Sequence, residues 1–241
     1  MNRFFAVKAP NGAAYIEGEE NVRHLSKSLR LCEGDRVQLF DGEGFECEAE
    51  IQSVERSRIA LSCGEWTLSP AEPTHRVTLF QGLPKQGKME TIIQKCVELG
   101  VYEIVPLVTS RCVVQLSDKL DRKLERYGKV AFEAAQQSKR GCVPRIFEPV
   151  KLSELPVSSF DLVLIAYEDE RESSLKSLIS GFGGNTVAIV IGPEGGFDPD
   201  EVSLLVERGA KAVSLGRRIL RTETAGMAMT AQILYELETE V

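Results

Sequence analysis

The stretch Thr186-Val187-Ala188-Ile189-Val190-Ile191-Gly192-Pro193-Glu194-Gly195-Gly196-Phe197 decides the fold. Its first half is a near-continuous run of Val, Ile and Ala with no charge. A strand wetted on one face alternates apolar with polar residues. A run without that alternation predicts a strand buried on both faces, as in a parallel sheet covered by helices. The glycine-rich loop breaks the strand, and Asp200–Glu207 then follows a helical pattern. Strand, tight loop and helix in this order make one α/β unit.

The same texture extends outward in both directions. Asp161–Ala166 is a second near-continuous apolar run, and Arg76–Gln81, Glu103–Val108 and Ala212–Leu215 read as further strands. Met89, Ile92, Ile93, Cys96 and Val97 recur at helical spacing, and Gly100 suits the residue after a helix end. Leu120, Leu124, Tyr127, Ala131, Ala134 and Ala135 predict a longer helix, and Thr222–Leu237 a closing one with Thr222 as its N-cap. Residues 74–241 therefore read as a doubly wound α/β domain. Residues 1–70 read differently. Short alternating runs at Arg36–Phe40, Glu46–Ile51 and Ser57–Cys63 are divided by turn signals at Asn11-Gly12, Glu33-Gly34-Asp35 and Asp41-Gly42-Glu43-Gly44. With one helical turn at Ser26–Leu31, they predict a small β-barrel domain. The linker falls in the aperiodic, proline-bearing stretch Thr67–Thr74.

Composition removes several classes of function. The chain has 241 residues, 43% apolar and 27% charged, and a net charge of −7. Disordered and collagen-like chains lie outside that range, and so does a uniformly basic nucleic-acid coat. The apolar runs are far shorter than the roughly 18 residues of a membrane span. Lys8, Pro10 and Asn11 interrupt any secretory h-region. Cysteines 32, 47, 63, 96, 112 and 142 have long, irregular spacings, which predicts reduced thiols and a cytoplasmic location. Two isolated histidines, His24 and His75, cannot build a typical metal site, so no metal is expected.

Ligands of open α/β sheets bind beyond the carboxyl ends of strands. Three such ends stand out: Ile165-Ala166-Tyr167-Glu168; Ile191–Phe197; and Leu215-Gly216-Arg217-Arg218-Ile219-Leu220-Arg221-Thr222-Glu223-Thr224-Ala225. The Gly192–Phe197 loop lacks a phosphate-binding fingerprint, and Glu194 would repel phosphate. It reads equally as a tight turn or as a loop that a neutral or cationic ligand approaches closely. Positive charge gathers from Lys211 to Arg221 and from Arg122 to Arg145, the latter with seven basic residues against two glutamates. Each patch reads as a solvated face or as a phosphate contact.

These loops together resemble a known family. Gly192-Pro193-Glu194-Gly195-Gly196-Phe197 followed by Leu215-Gly216 and Ile219-Leu220-Arg221-Thr222-Glu223-Thr224-Ala225 is similar to the RsmE family, 16S ribosomal RNA uridine-N3 methyltransferases of the SPOUT superfamily. Arg3-Phe4-Phe5, His24-Leu25 with Leu29-Arg30, Lys95–Val101 and Glu133–Arg140 resemble its other motifs, in order along nearly the whole chain. The resemblance implies an N-terminal PUA-like RNA-binding domain and a C-terminal α/β domain with a trefoil knot. It implies S-adenosylmethionine as cofactor, a homodimer, and one uridine of the decoding region as target, met in the assembled small subunit. It also implies site roles. The cofactor residues would be Tyr167, Glu168, Ile191, Gly192, Pro193, Glu194, Gly195, Gly196, Leu215, Gly216, Ile219, Leu220, Thr222, Thr224 and Ala225. Arg221 would stabilise the reacting uracil and Glu223 would be a candidate base, a helix cap or a partner for Arg221. Arg3, Arg30, Lys139, Arg140, Arg217 and Arg218 would hold RNA. Competing expectations are a methyltransferase with another RNA target and a non-catalytic RNA-binding factor.

Overall fold

The computed structural model describes residues 1–85, 87–112 and 120–238. They form two compact units: Met1–Glu72 with Ala135–Val143, and Pro73–Ala134 with Pro144–Val241.

The first unit is a seven-stranded sheet. Its strands are β1 (Arg3–Phe5), β2 (Val7–Lys8), β3 (Ala13–Glu17), β4 (Arg36–Phe40), β5 (Phe45–Val54), β6 (Arg58–Cys63) and β7 (Thr67–Leu68). The path of pairing is β1-β4-β5-β6-β3-β2, with β7 against β5. Only Ala6 separates β1 from β2 in sequence, yet they lie at opposite ends of this path. Neighbouring Cα atoms are about 3.8 Å apart, so the sheet must curl until its ends nearly meet. Strand β5 buries Cys47, Ala49 and Ile51 while Glu48, Glu50 and Gln52 face water, the alternation of a one-sided sheet. A helix, α1 (Glu19–Arg23), runs into a wide turn at His24–Ser28. The helical segment thus begins before the expected Ser26, because Val22 and Leu25 are three residues apart and both enter the core.

Ala135–Val143 belongs with this unit although the sequence places it in the second domain. The cause is a buried charge network. Arg140 is 2% exposed, and its guanidinium binds Glu72 at 2.7 Å. Glu72 also accepts the Cys142 N–H at 2.9 Å. Arg3 donates to the Arg140 carbonyl at 2.9 Å, pairs with Glu46 at 3.3 Å and lies over the Phe40 ring.

The second unit carries β8 (Arg76–Gly82), β9 (Glu103–Val108), β10 (Arg145–Ile146), β11 (Val150–Lys151), β12 (Leu162–Ala166), β13 (Thr186–Ile191) and β14 (Lys211–Val213). All pair in parallel, in the order β10-β9-β8-β13-β12-β14, with β11 beside β9. Strand β13 is buried from Val187 to Ile191, as its unbroken apolar run predicts, and β8 is buried from Val77 to Gly82 although Thr78 and Gln81 interrupt its apolar residues. The helices are α2 (Lys88–Glu98), α3 (Leu120–Gln137, ending in the first unit), α4 (Leu175–Ile179), α5 (Pro199–Glu207) and α6 (Thr222–Leu237). Helix α2 buries Met89, Ile92, Ile93, Cys96 and Val97, the stripe read from its spacing. Asp198 and Glu201 form a capping box that starts α5 at Pro199. Helix α4 has no counterpart in the sequence expectations; Ser174 caps it, accepting the Ser177 N–H at 3.2 Å. Among the described residues, no helix is long and apolar enough to cross a membrane.

Candidate active site

The loops after β12, β13 and β14 surround one cleft of about 430 Å3 at the carboxyl ends of those strands. Small-molecule sites commonly occupy clefts of this size and place. Tyr167 and Glu168 line it from the first loop. Ile191, Gly192, Pro193, Glu194 and Gly196 line it from the second. Leu215, Gly216, Ile219, Leu220, Arg221, Thr222 and Ala225 line it from the third, with Arg217 and Arg218. Ala166 and Phe197, inside the loops singled out but given no site role, also line it, and so do Arg171 and Ser214, which were missed. Ser214 and Arg171 flank the loops already singled out, so widening each loop by a few residues would have found both.

Small residues shape the cleft floor. A Cβ on Gly82 would stand 2.5 Å from the Pro193 nitrogen, so β8 and the second loop touch through a missing side chain. Gly196 has φ +66°, and a Cβ there would stand 2.9 Å from a Glu168 carboxylate oxygen. Thr222 ties these parts together. Its hydroxyl donates to the Gly192 carbonyl at 2.6 Å and accepts the Gln81 side-chain amide at 2.8 Å. Thr222 is therefore not the N-cap of α6. Arg221 holds that position, and Thr222 is buried as a cross-link between two strand ends. Gly82→Ala is expected to displace the Gly192-Pro193 turn, costing about 1–3 kcal/mol of stability as overpacking does. Urea unfolding of the variant checks this; an unchanged midpoint would show the turn to be compliant.

Seven expected site residues do not line the cleft. Gly195 does not line the cleft; it faces Arg111, whose guanidinium donates to the Gly195 carbonyl at 3.1 Å and pairs with Asp198 at 3.2 Å. Thr224 is exposed and outside the cleft. Glu223 is also outside it, held by the Lys88 ammonium at 3.2 Å. Of the partners expected for Glu223, the structure shows an ion pair with Lys88 rather than with Arg221. Arg140 is buried and ion-paired, and the Arg3 side chain is 9% exposed, so neither presents a free cation to RNA. Arg30 and Lys139 are exposed, in the first unit, both with left-handed backbone at φ +57° and +62°.

Lys88 also contacts Glu194, at 3.0 Å. The Lys85 N–H donates to the same carboxylate at 3.1 Å. Burial alone would raise the Glu194 carboxyl, but the Lys88 ammonium and the backbone donors outweigh it and hold it below its ordinary range. Glu194 is thus an ion-paired wall of the cleft that shares Lys88 with Glu223, which leaves Glu168 as the cleft's one carboxylate without an ion pair among the described residues. Burial, with Asp169 nearby, pushes the Tyr167 phenol upward, so it remains protonated at neutral pH.

Residues 70–234 match the family described as RNA methyltransferase domain, and residues 16–62 the RNA methyltransferase PUA domain. Fold, cleft and matches define an α/β RNA methyltransferase with an N-terminal PUA-like domain. The chain is 40% identical over 234 residues to ribosomal RNA small subunit methyltransferase E of Bacillus subtilis, covering 92% of this chain and 90% of that protein. A ribosomal RNA small subunit methyltransferase E from Neisseria gonorrhoeae, solved with bound S-adenosyl methionine, is 28% identical with a TM-score of 0.81, covering 98% and 97% of the two chains. A putative methyltransferase from Legionella pneumophila, solved with bound SAM, is 29% identical with the same TM-score over 97% and 96%. The chain belongs to the ribosomal RNA small subunit methyltransferase E family.

Proposed function

We propose that this protein methylates N3 of one uridine in the decoding region of 16S ribosomal RNA, with S-adenosylmethionine as donor. The observation that carries the reading is the cleft itself. Backbone and apolar groups form part of its wall, its described lining includes one carboxylate without an ion pair beside four exposed arginines, and family relatives are solved with the cofactor bound. When bound, the cofactor supplies an electrophilic methyl group on a cationic sulfur. The residues fit such a molecule. Ile191, Leu215 and Leu220 offer apolar walls, and backbone groups at Gly192, Gly196, Leu215 and Leu220 offer hydrogen bonds to its edges. Glu168 offers a countercharge. Ile219, 86% exposed, stands at the rim.

Uridine N3 is masked in Watson–Crick pairs, so the base must enter the cleft unpaired. It becomes a nucleophile as its proton leaves, and negative charge then spreads over the ring carbonyls. Arg221 is the residue placed to stabilise that charge, on the rim of the cleft directly before α6. Holding both reactants in one cleft supplies much of the remaining acceleration. We further infer a trefoil knot in the second unit. Its support is the insertion of β13 between β8 and β12, and the tie from Thr222 under the β13 loop. A homodimer, the assembled small subunit as substrate, RNA binding by the PUA-like domain and a cytoplasmic location complete the proposal. Exposed Ile219 and Tyr235, at 86% and 88%, support the dimer.

Calorimetry with S-adenosylmethionine and sedimentation of the same sample test the reading. One molecule bound per chain, and a particle of twice the 26.6 kDa chain mass, are expected. Absence of binding would contradict the cofactor assignment, and a monomer would contradict the dimer.

A further inference from the structure

Outside the cleft, one ammonium joins two of the segments that build it. Lys88 does not line the cleft, yet it contacts Glu194 at 3.0 Å and Glu223 at 3.2 Å. Glu194 lines the cleft from the loop after β13, and Glu223 stands in the first turn of α6, two residues after Arg221. All three side chains are partly buried, so water screens the pairs incompletely. The hydrogen bond to Glu194 is the main cause that holds the Lys88 ammonium above its ordinary range. Glu223 Oε2 is shielded from water and accepts no hydrogen bond among the described residues, so the nearby ammonium is its compensating charge.

Local rules do not account for a lysine at this place. Lys88 is the first residue of α2, behind Gly87 as N-cap, and no side chain caps that end. The amino end of a helix carries partial positive charge and favours acidic residues, so a cation there works against α2. The two carboxylates explain its placement. Both reach one nitrogen, so without it two like charges would face each other at short range. A second tie runs beside this one. The Thr222 hydroxyl donates to the Gly192 carbonyl at 2.6 Å. Consecutive residues of α6 thus hold the loop after β13 at two points, Thr222 directly at Gly192 and Glu223 through Lys88 at Glu194. One tie fixes a distance and leaves the loop free to turn about it, whereas two fix its orientation. The Lys85 N–H, donating to Glu194 at 3.1 Å, fastens the same carboxylate to the segment ahead of α2. Arg221 directly precedes both ties.

We propose that Lys88 is a positioning residue for methyl transfer: by joining Glu194 to Glu223, its ammonium sets the orientation of the Gly192–Gly196 loop relative to Arg221. The inference rests on the proposed methyl transfer for the reaction it serves. The link between the loop and α6 rests on the geometry alone. Lys88 acts through Glu194 and through the start of α6.

The test compares Lys88→Met, which keeps an apolar stem and removes the charge, with Lys88→Arg, Glu223→Gln and the double variant of Lys88→Met with Glu223→Gln. The amides to follow are Gly196, bonded to the Pro193 carbonyl at 3.0 Å, and Thr224 and Ala225, bonded to the Arg221 carbonyl at 2.9 and 2.8 Å. In the cofactor-free chain, Lys88→Met should quicken hydrogen exchange about tenfold at all three and leave β13 unchanged. Lys88→Arg should stay within about twofold of the native chain at each. In single-turnover assays at saturating cofactor, Lys88→Met should lower the rate about 30-fold, the order of loss from a misplacement of about 1 Å. The half-saturating RNA concentration should stay within about twofold, and Lys88→Arg should recover most of the rate. Glu223→Gln should lose a similar amount, and the double variant no more than Lys88→Met alone, because all three break one link. The proposal is overturned if exchange fails to quicken at either the loop or α6, if the double variant loses the product of the two single losses, or if Lys88→Met keeps the native rate. A loss in Glu223→Gln far beyond that of Lys88→Met would make Glu223 a reacting group and overturn it as well. Failure of the proposed activity is separable. Quickened exchange at both places, with no methyl transfer to any RNA by the native chain, leaves the link standing and removes only the reaction.

Discussion

Replacing Arg221 with alanine is expected to lower kcat about 100-fold while leaving cofactor affinity within about twofold. The size follows from the loss of one preorganised donor aimed at developing negative charge, which typically costs about 10²–10³ in rate. Methylation of N3 requires the uracil to carry that charge, and Arg221 is the lining cation nearest in sequence to the fixed start of α6. Its backbone is anchored, since its carbonyl accepts the Thr224 and Ala225 N–H groups at 2.9 and 2.8 Å. Its side chain is exposed and has no ion pair among the described residues, so its removal should not disturb the fold. Single-turnover assays with saturating cofactor, beside calorimetry of cofactor binding, separate the two effects. A variant with normal turnover and weakened cofactor binding would reassign Arg221 to the cofactor.

Arg140→Ala is expected to have the largest effect on stability. Its guanidinium is buried against Glu72, and deleting it leaves that carboxylate without its charge partner inside the first unit. Breaking a buried pair from one side costs about 3–5 kcal/mol. For a chain of this size unfolding as a whole, that is roughly a 6–20 °C fall in melting temperature. Arg3 donates to the Arg140 carbonyl, so the loss should spread through the same network. Lys139→Ala, one residue away at an exposed position, should change stability by less than about 0.5 kcal/mol. Thermal unfolding of the two variants decides between them. Equal stability of Arg140→Ala and the native chain, with weakened RNA binding, would restore Arg140 to the RNA surface.

The contrast between these two arginines shows what sequence could and could not reveal. Strand β13 was legible because burial on both faces leaves an uninterrupted apolar run, and α2 because a buried stripe repeats at helical spacing. The three loops of the cleft were legible because strand ends and glycines mark them. Partnership across long sequence distances was not. Arg140 reads as part of a basic run until Glu72, 68 positions earlier, neutralises it. Glu194 reads as a charge facing a ligand until Lys88 captures it together with Glu223. Thr222 reads as a cap because capping is a local rule, whereas its actual bonds run to Gln81 and Gly192. The placement of β13 between β8 and β12 is likewise a long-range fact.

The measurement that tests the central claim most directly is methyl transfer from labelled S-adenosylmethionine. The acceptors are small ribosomal subunits taken from cells that lack this protein, and the RNA is then digested and its nucleosides separated. The account predicts label in 3-methyluridine, at one site per subunit. Label in another nucleoside would contradict the target, and no label in subunits, free ribosomal RNA or transfer RNA, despite bound cofactor, would contradict the enzymatic reading itself.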